Sequence, residues 1–370
     1  MIRVLHLLDA LERGGRETLV SDFSRSASRH GIDAAVVSMG SGELQTSFQL
    51  LGDRYASLTR RFPIDPVILL RLRKVVKDRN IQIIHAHQAV EGLHAYFACK
   101  GLQDVKVVLS FHGHTSSQKN ELALRYLVPR MNANIAVSAA FLAKLREKAQ
   151  YYRDHTFYVV YNGVDLRKLT GTSGSVRAEL GLRPNESLVG MVSNFVPGKD
   201  PVTVCRAMAI LHDRKPDLHF VFVGARSPAS PAIFQRCHDL CSSLGLTNNV
   251  HFLGKRGDID KVLSSLDAFV FSSTDDSFGI APVEAMIAGV PVVLSDIPTL
   301  REICLDGEHG FLFKVGDPEE LALKMCYVIE HNVDCKKAAL DTSRWARRIY
   351  SIDKHISECK QIYEKLICAT

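Results

Sequence analysis

The sequence predicts an α/β protein with two doubly wound domains, each built on a parallel β-sheet. The chain has 370 residues, which exceeds one ordinary core and suits two domains of roughly 150 to 200 residues. Short apolar runs alternate with amphipathic stretches, the pattern of buried parallel strands separated by helices. The alternation stops once near the middle of the chain and then restarts, which places a domain boundary there.

The first domain is predicted to span residues 1–165. Its apolar runs predict strands at residues 3–8, 33–38, 81–85, 105–110, 134–137 and 157–160. One intervening helix has clear start signals, because Asp65 suits an N-cap and Pro66 suits the first helical position. The boundary follows from residues 161–165 and from the small, turn-forming residues 170–175, which have neither strand nor helix periodicity.

The second half repeats the pattern, with predicted strands at residues 187–193, 218–223, 250–253, 268–271 and 291–294. After Asp317 the pattern is helical to the end, and residues 342–345 are predicted to interrupt it. The second domain is expected at residues 166–351. A last helix at about 352–370 is expected to pack back on the first domain.

Composition gives a first indication of the class of protein. Hydrophobic residues make up 46% and charged residues 23% of the chain, which is ordinary for a globular protein. No apolar run approaches the ~20 residues that span a bilayer, and the N-terminus shows no basic leader with a cleavage site. The nine cysteines form no repeated C-x-x-C framework, so we expect a cytoplasmic protein without disulfides.

The formal net charge of +6 is too small and too dispersed to predict nucleic-acid binding, but it suits an anionic substrate or membrane surface. One N-terminal helix combines apolar Leu69, Leu70 and Leu72 with many basic neighbours. These are Arg60, Arg61, Arg71, Arg73, Lys74, Lys77 and Arg79. Such a face is usually solvated, but it could also dock at the periphery of an anionic membrane.

The predicted topology indicates where chemistry is expected. Right-handed βαβ connections make each half an open sheet, and such sheets bind ligands beyond the carboxyl ends of their strands. Two such sheets would face each other across a cleft. The loops that follow strands are therefore the candidate sites.

The segment with the strongest signal, residues 272–284, follows a predicted strand and leads into a helix. Phe278, Gly279 and Ile280 would place backbone N–H groups at the helix N-terminus, where phosphate or sugar oxygens bind favourably. Gly279 also lets the backbone approach a ligand closely. The segment therefore predicts a site for a phosphorylated or sugar ligand.

The same segment carries three carboxylates. Asp276 and Glu284 accept hydrogen bonds without donating any, which suits sugar hydroxyls and a ribose diol. The ordinary alternative is an acidic helix start that only complements the helix dipole. We accept that alternative for Asp275.

A second strand-end loop, at residues 192–200, presents Lys199 just before a helix. A lysine there can neutralise a departing diphosphate, although a solvated turn lysine is the alternative. Near the N-terminus, the paired glycines of residues 11–17 allow a close approach of the backbone to an anion. A plain tight turn is the alternative at that position.

Five of the histidines in the first half of the chain fall within residues 85–114, namely His85, His87, His94, His112 and His114. His112 follows a strongly apolar strand, and a histidine at a strand end points into the ligand-binding edge. A packed histidine is the alternative for His85 and His87. No carboxylate or cysteine joins the group at ligand spacing, so no metal site is predicted.

Residues 276–284 resemble the E-x7-E motif of family 4 glycosyltransferases, with Asp276 in place of the first glutamate. This family has the GT-B fold, retains the anomeric configuration and takes its sugar from a nucleotide sugar. The resemblance implies that Asp276 contacts the transferred sugar and that Glu284 contacts the nucleotide ribose. Phe278, Gly279 and Ile280 would bind the donor beside them.

Residues 192–200 resemble the clamp of the same family, in which an arginine and a lysine hold the donor diphosphate. Lys199 matches the lysine, whereas Asn194 stands where the arginine is expected. An amide lacks the charged fork of a guanidinium, so either Asn194 makes a weaker contact or another cation compensates. The candidate cations are Arg226, Lys255 and Arg256.

The resemblance extends to the first domain. Gly15 matches a glycine loop whose amides contact the donor phosphate, and His112 matches a histidine that hydrogen-bonds the donor sugar. His85 and His87 match an H-x-H sequence that lines the acceptor side.

Asp258 and Asp260 form a D-x-D sequence, which in another glycosyltransferase fold indicates a divalent metal. We interpret Asp258 instead as a helix cap. The preceding Gly254 and Lys255 resemble the turn of family 4 that lies beside the nucleotide base. Lys255 could contact that base through its backbone.

The resemblance implies transfer of a sugar from a UDP- or GDP-sugar to a glycan, lipid-linked or small-molecule acceptor, in polysaccharide or glycoconjugate biosynthesis. Lys199 would stabilise the departing diphosphate, while Asp276 and His112 would orient the sugar. No cofactor and no metal are implied. Two alternatives stay open, a nucleotide-sugar 2-epimerase of the same architecture and a pseudoenzyme that binds a nucleotide sugar.

Overall fold

The computed structural model describes residues 1–12, 14–113, 117–169 and 175–368. The chain forms two compact units, which are Met1–Asp165 with Tyr350–Thr370, and Leu166–Ile349. His114 and the turn-forming residues 170–174 lie outside the described residues. Within the described residues, no helix is both long and apolar enough to cross a bilayer.

The first unit is built on a parallel sheet that has seven strands among the described residues, in the order β3-β2-β1-β4-β5-β6-β7. The strands are β1 (Ile2–Leu8), β2 (Ile32–Ser38), β3 (Tyr55–Ser57), β4 (Ile83–Ala86), β5 (Lys106–Phe111), β6 (Ala133–Ala136) and β7 (Phe157–Val159). Strands β1, β4 and β5 occupy the centre, where both faces are covered by helices and most residues are therefore apolar and buried.

Helices connect these strands. They are α1 (Gly15–Ser26), α2 (Gln45–Gln49), α3 (Pro66–Asp78), α4 (Ala89–Cys99), α5 (Gln118–Leu127), α6 (Ala139–Lys148) and α7 (Gln150–Arg153). Helix α3 begins as predicted, because Pro66 is its first residue and the Asp65 carboxylate accepts the Val67 N–H at 3.0 Å.

The second unit is built on a parallel sheet with six strands among its described residues, in the order β10-β9-β8-β11-β12-β13. The strands are β8 (Ser187–Val192), β9 (Leu218–Val223), β10 (Val250–Gly254), β11 (Ala268–Phe271), β12 (Val292–Ser295) and β13 (Phe311–Phe313). The helices are α8 (Val176–Glu179), α9 (Pro201–His212), α10 (Pro231–Ser243), α11 (Ile259–Ser265), α12 (Ile280–Ile287), α13 (Pro298–Ile303), α14 (Pro318–Glu330) and α15 (Asn332–Ile349).

The chain then returns to the first unit. Val164 forms a parallel bridge with Ser351, and helix α16 (Ile352–Cys368) packs its apolar face into the core of the first unit. Ile356 and Tyr363 of this helix are fully buried in one cluster with Val4 of β1.

The predicted strands agree with the observed ones to within two residues at each end. The edge strands β3 and β13 have three residues each and were not predicted, whereas the equally short β7 was predicted because its apolar run continues to Val160. The predicted interruption at residues 342–345 is wrong, since these residues lie inside α15. The Ser343 hydroxyl donates to the Ile287 carbonyl at 2.6 Å, so a buried contact with α12 satisfies a residue that otherwise favours turns.

Candidate functional site

Two loops meet at the carboxyl edge of the second sheet, because they follow the neighbouring strands β8 and β11. The Thr274 N–H donates to the Gly198 carbonyl at 2.8 Å, and the Ser273 hydroxyl donates to the same carbonyl at 2.8 Å. The Asp200 N–H donates to the Ser272 carbonyl at 3.1 Å. These bonds hold the two predicted donor loops together as one framework.

The framework brings the predicted residues Lys199 and Asp276 into an ion pair. Their side chains are only 19% and 16% exposed, and the Lys199 ammonium lies 4.4 Å from the centroid of the Phe271 ring. The other oxygen of Asp276 accepts the Ser277 N–H at 2.8 Å. A partly desolvated cation is therefore held beside a fixed carboxylate at the end of β11.

Helix α12 begins immediately after this pair. Gly279 is its N-cap residue with φ 94°, a left-handed conformation that favours glycine. Phe278 is buried before it, and the first-turn N–H groups at Ile280 have no acceptor within a helix. Glu284 lies half-buried one turn into α12, so the four predicted residues lie together at the N-terminal end of this helix.

Asn194 and Gly254 connect the loops at the carboxyl ends of β8, β9 and β10. The Asn194 side-chain oxygen accepts the Ala225 N–H at 2.8 Å, which ties the loop after β8 to the loop after β9. The Gly254 carbonyl accepts the Gly224 N–H at 2.8 Å, and Lys255 is exposed directly after β10.

The first aspartate of the D-x-D sequence, Asp258, pairs with an arginine. Asp258 is the N-cap residue of α11, as predicted, but its side chain makes no hydrogen bond to the helix start. Its carboxylate instead pairs with the Arg256 guanidinium at 2.7 Å. This pairing lowers the pKa of the Asp258 carboxyl.

In the first unit, Gly15 is the first residue of α1 and Gly14 is its N-cap, in an extended conformation. A Cβ on Gly14 would lie 2.7 Å from a carboxylate oxygen of Glu17, so the end of the Glu17 side chain lies directly against the backbone at this position. Arg16 pairs with Glu17 and also with Glu91, the latter at 3.3 Å.

Glu91 is a candidate site residue that the sequence analysis did not identify. It is fully buried in the first turn of α4, and one oxygen accepts the Asp9 N–H at 3.0 Å and the Arg16 guanidinium at 3.3 Å. Its other oxygen has no hydrogen-bond partner among the described residues. Burial raises the pKa of Glu91 to about 7, against the opposing effect of Arg16. The sequence signal that could have identified Glu91 is an acidic residue in the first helical turn after the predicted H-x-H sequence.

A row of histidines lies on one face of β1, β4 and β5. His6 and His85 are in register on adjacent strands. His6 Nδ1 lies 3.0 Å from His87 Nε2, and His87 Nδ1 lies 3.0 Å from His112 Nε2. Burial lowers the pKa of His6 and of His112 to about 3 and the pKa of His85 and His87 well below 6.5. All four rings are therefore neutral at pH 7.

The row is poorly arranged for a metal. The ligand atoms of His6, His85 and His87 lie within 4.8 Å of one another, but the His85 and His87 rings are stacked, with planes 21° apart. Lone pairs in stacked planes do not converge on one ion. His85 also uses both nitrogens for the hydroxyls of Tyr363 and Ser110, at 2.6 and 2.7 Å.

Two parallel-sheet Rossmann-like units, one of which carries a lysine–carboxylate pair before a helix N-terminus, define an α/β enzyme of the GT-B class. Two family models match the chain, "Glycosyltransferase Family 4" at residues 13–168 and "Glycosyl transferases group 1" at residues 174–344. The chain therefore belongs to the family 4, group 1 glycosyltransferases. It is a transferase that uses a nucleotide sugar, and the predicted family and fold are confirmed.

Two curated relatives illustrate the similarity. The chain is 26% identical over 269 residues to N-acetyl-alpha-D-glucosaminyl L-malate synthase of Bacillus anthracis, covering 70% of this chain and 68% of the relative. It is 24% identical over 303 residues to the lipopolysaccharide core biosynthesis mannosyltransferase LpsB of Rhizobium meliloti, covering 81% and 84%.

Solved structures resemble the whole chain. The crystal structure of Anabaena Alr3699/HepE in complex with UDP and glucose has a TM-score of 0.83 and 25% identity, and the match covers 99% of each chain. A glycosyltransferase from Rickettsia africae has a TM-score of 0.84 with 17% identity, covering 100% of this chain and 99% of its own.

Proposed function

We propose that this chain is a retaining, metal-independent glycosyltransferase that transfers a sugar from a UDP-sugar to a glycan, lipid-linked or small-molecule acceptor in glycoconjugate biosynthesis. The single observation that carries the proposal is the Lys199–Asp276 pair, held between the loops after β8 and β11. UDP is proposed as the nucleotide because a protein similar over its whole length binds UDP.

The proposed reaction breaks the bond between the anomeric carbon and a phosphate oxygen, so negative charge develops on the departing diphosphate. Lys199 and the backbone N–H groups at Gly279 and Ile280 stabilise that charge, since preorganised donors act strongly in a partly desolvated site. Asp276 orients the sugar hydroxyls, and Glu284 accepts from the ribose diol. The proton of the acceptor hydroxyl passes to a donor phosphate oxygen.

The first unit is assigned complementary roles. The Gly15 amide contacts the donor phosphate, and His112 hydrogen-bonds the donor sugar. With a pKa of about 3, His112 is a poor general base at neutral pH, which supports a binding role. His85 bonds to Tyr363 and Ser110 inside the fold, so we propose that it supports the site rather than touching the acceptor. His87 holds His112.

The first experiment is a thermal-shift panel of UDP- and GDP-sugars, without added metal and with EDTA. A ligand at ~100 times its dissociation constant adds about 2.7 kcal/mol of stability, which appears as a shift of several degrees. We expect UDP-sugars to stabilise the protein, and a flat response to every nucleotide sugar would refute the proposed donor. A requirement for a divalent ion would refute metal independence.

The second experiment follows the product by NMR. We expect sugar transfer to an acceptor with the anomeric configuration of the donor, whereas an inverted product would contradict the retaining mechanism. A new sugar isomer without any acceptor would identify an epimerase. Binding without turnover across an acceptor panel would identify a pseudoenzyme.

We also propose that α3 and the loop before it dock peripherally on an anionic membrane from the cytoplasmic side. Phe62 and Leu70 are 62% and 71% exposed, and the basic residues Arg71, Lys74 and Lys77 are exposed on the same helix. Arg73 is excluded from this surface, because its guanidinium donates to the Ala98 and Lys100 carbonyls at 2.8 and 2.9 Å. Exposed apolar residues beside cations suit a negatively charged bilayer surface.

Vesicle co-sedimentation tests this contact. We expect the protein to bind vesicles that contain anionic phospholipid, to bind purely zwitterionic vesicles much less, and to lose binding in F62S/L70E. The matched control is L323E, which changes a leucine that is 67% exposed in the other unit. Equal binding by F62S/L70E and L323E would refute the assigned surface.

A further inference from the structure

The proposed donor site needs a cation besides Lys199. A nucleoside diphosphate carries at least two negative charges, while Lys199 is already paired with Asp276. Asn194, at the position where the family 4 resemblance places an arginine, is uncharged. Its side-chain oxygen accepts the Ala225 N–H at 2.8 Å, so this residue joins two loops and supplies no charge.

The bond made by Asn194 brings an arginine to the same place. The neighbouring residue Phe195 forms a parallel bridge with Arg226, and the Phe195 N–H donates to the Ala225 carbonyl at 3.0 Å. A Cβ on Gly224 would lie 2.0 Å from the Ser193 carbonyl oxygen, so the two loops are in direct backbone contact. Arg226 therefore stands beside Asn194, at the end of the adjacent strand β9.

The Arg226 side chain is oriented without an acidic partner. Its guanidinium carbon lies 3.7 Å from the centroid of the Phe234 ring, and Phe234 is buried at the start of α10. Arg226 is exposed and makes no ion pair with any described residue. Stacking on an aromatic ring restrains the guanidinium plane while its N–H edge stays available for a phosphate.

The other two candidate cations are less suitable. Arg256 is neutralised by Glu179 at 2.6 Å and by Asp258 at 2.7 Å. Lys255 follows the edge strand β10, which is two strands from β8 and therefore roughly 10 Å from the end of β8.

We infer that Arg226 binds the phosphates of the donor nucleotide and replaces, from the end of β9, the charge that Asn194 does not provide at the end of β8. The inference rests on the proposed nucleotide-sugar donor. A stacked guanidinium offers two parallel N–H donors to phosphate oxygens. Arg226 would present these donors from the end of β9 and not from the end of β8.

Binding of UDP and of uridine by wild type and by R226Q tests the inference, with calorimetry as the readout. We expect R226Q to weaken UDP binding by at least about tenfold and uridine binding by less than about twofold. The salt dependence of UDP binding should also decrease in R226Q. R226K, which keeps the charge without the planar fork, should fall between wild type and R226Q.

The matched control is R236Q, because Arg236 is an exposed arginine on α10 of the same unit. We expect R236Q to bind UDP as wild type does. All variants should melt near the wild-type temperature, since both arginines are exposed, and this comparison reports any loss of folding separately.

The outcomes separate two kinds of failure. If wild type binds neither UDP nor GDP, the proposed donor itself is wrong. If wild type binds UDP and R226Q binds it equally well, only the role of Arg226 is overturned. An equal loss of UDP and uridine binding in R226Q would also overturn the phosphate contact, because it would place Arg226 against the nucleoside.

Discussion

At the scale of single residues, the charges of Lys199 and Asp276 compensate each other. Each side chain is mostly buried, and removing one partner of a partly buried pair leaves the other charge uncompensated. Asp276 is one methylene shorter than the glutamate of the family motif, yet it still reaches both Lys199 and the Ser277 N–H. The shorter Asp276 side chain therefore still fixes the position of the Lys199 ammonium.

Substitution of Glu284 tests the ribose contact. We expect Glu284→Ala to weaken binding of every UDP-sugar by at least about tenfold, because hydrogen bonds to a charged acceptor contribute about 1.5 to 3 kcal/mol. Glu308→Ala, at an exposed position of the same unit, is the control. Unchanged calorimetric affinity in Glu284→Ala would show that the assigned contact is wrong.

Substitution of Lys199 tests stabilisation of the leaving group. We expect Lys199→Ala to lower kcat by roughly two to three orders of magnitude at saturating donor, the usual effect of removing one such donor. Lys199→Arg should retain part of the activity. The control is Lys215→Ala, which removes a surface pair with Glu330. Undiminished turnover in Lys199→Ala would exclude the leaving-group role.

At the scale of elements, one face of β1, β4 and β5 carries a row of neutral histidines, which α1 covers through Phe23 and α16 through Tyr363. His355 of α16 belongs to the same environment, and burial lowers the pKa of its ring to about 4. The unfolded chain would protonate these histidines near pH 6.5, whereas the folded chain would not. The first unit is therefore expected to be sensitive to acid.

The sign of this dependence follows from proton binding. Between pH 6.5 and about 4 the unfolded state binds more protons at the histidines, so stability falls as pH falls, by up to about 1.4 kcal/mol per pH unit for each fully titrating histidine. Glu91 acts in the opposite sense between about pH 4.5 and 7, because its folded pKa is raised. Because several histidines titrate against one glutamate, we expect the free energy of unfolding to increase with pH over this range.

Urea unfolding at pH 7.5 and pH 5.5 measures this slope. We expect lower stability at pH 5.5 in wild type and a smaller pH difference in His6→Asn, whatever its stability at pH 7.5. His238→Asn is the control, because that side chain is 57% exposed. An identical pH difference in wild type and His6→Asn would contradict the proposed protonation of the row.

At the scale of the whole molecule, the first unit is made from both ends of the chain. Helix α16 supplies the hydroxyl of Tyr363 to His85 at 2.6 Å and fills the core beside β1. The candidate site of the first unit therefore depends on residues that lie more than 250 positions from it in the sequence.

Substitution of Tyr363 tests how strongly the first unit depends on α16. We expect Tyr363→Ala to destabilise the first unit by about 3 to 5 kcal/mol, the range for a fully buried aromatic residue. Tyr363→Phe should cost about 1 to 3 kcal/mol, because His85 loses a buried partner. The control is Lys365→Ala, which changes an exposed residue two positions after Tyr363 on the same helix. Equal urea midpoints for Tyr363→Ala and Lys365→Ala would contradict the packing of α16.

Local patterns were sufficient for most elements and for part of the site. The start of α3 at Pro66 and the strand–loop–helix unit around Gly279 could be predicted, because caps, glycine conformations and strand periodicity act over a few residues. Residues 342–345 were assigned wrongly, since their turn propensity is overridden by the Ser343 bond to Ile287. The three-residue strands β3 and β13 show too little periodicity to be predicted, unlike β7, whose apolar run is longer.

The sequence by itself determined the α/β class, the family and the positions of the two loops that follow β8 and β11, because these depend on local spacing along the chain. Tertiary structure alone decided that Lys199 reaches Asp276, that Asn194 is bound to the backbone at Ala225, and that Glu91 is buried. These features depend on strand order, which brings together loops distant in sequence. The same strand order sets Arg226 beside Asn194, a neighbour that spacing along the chain does not reveal.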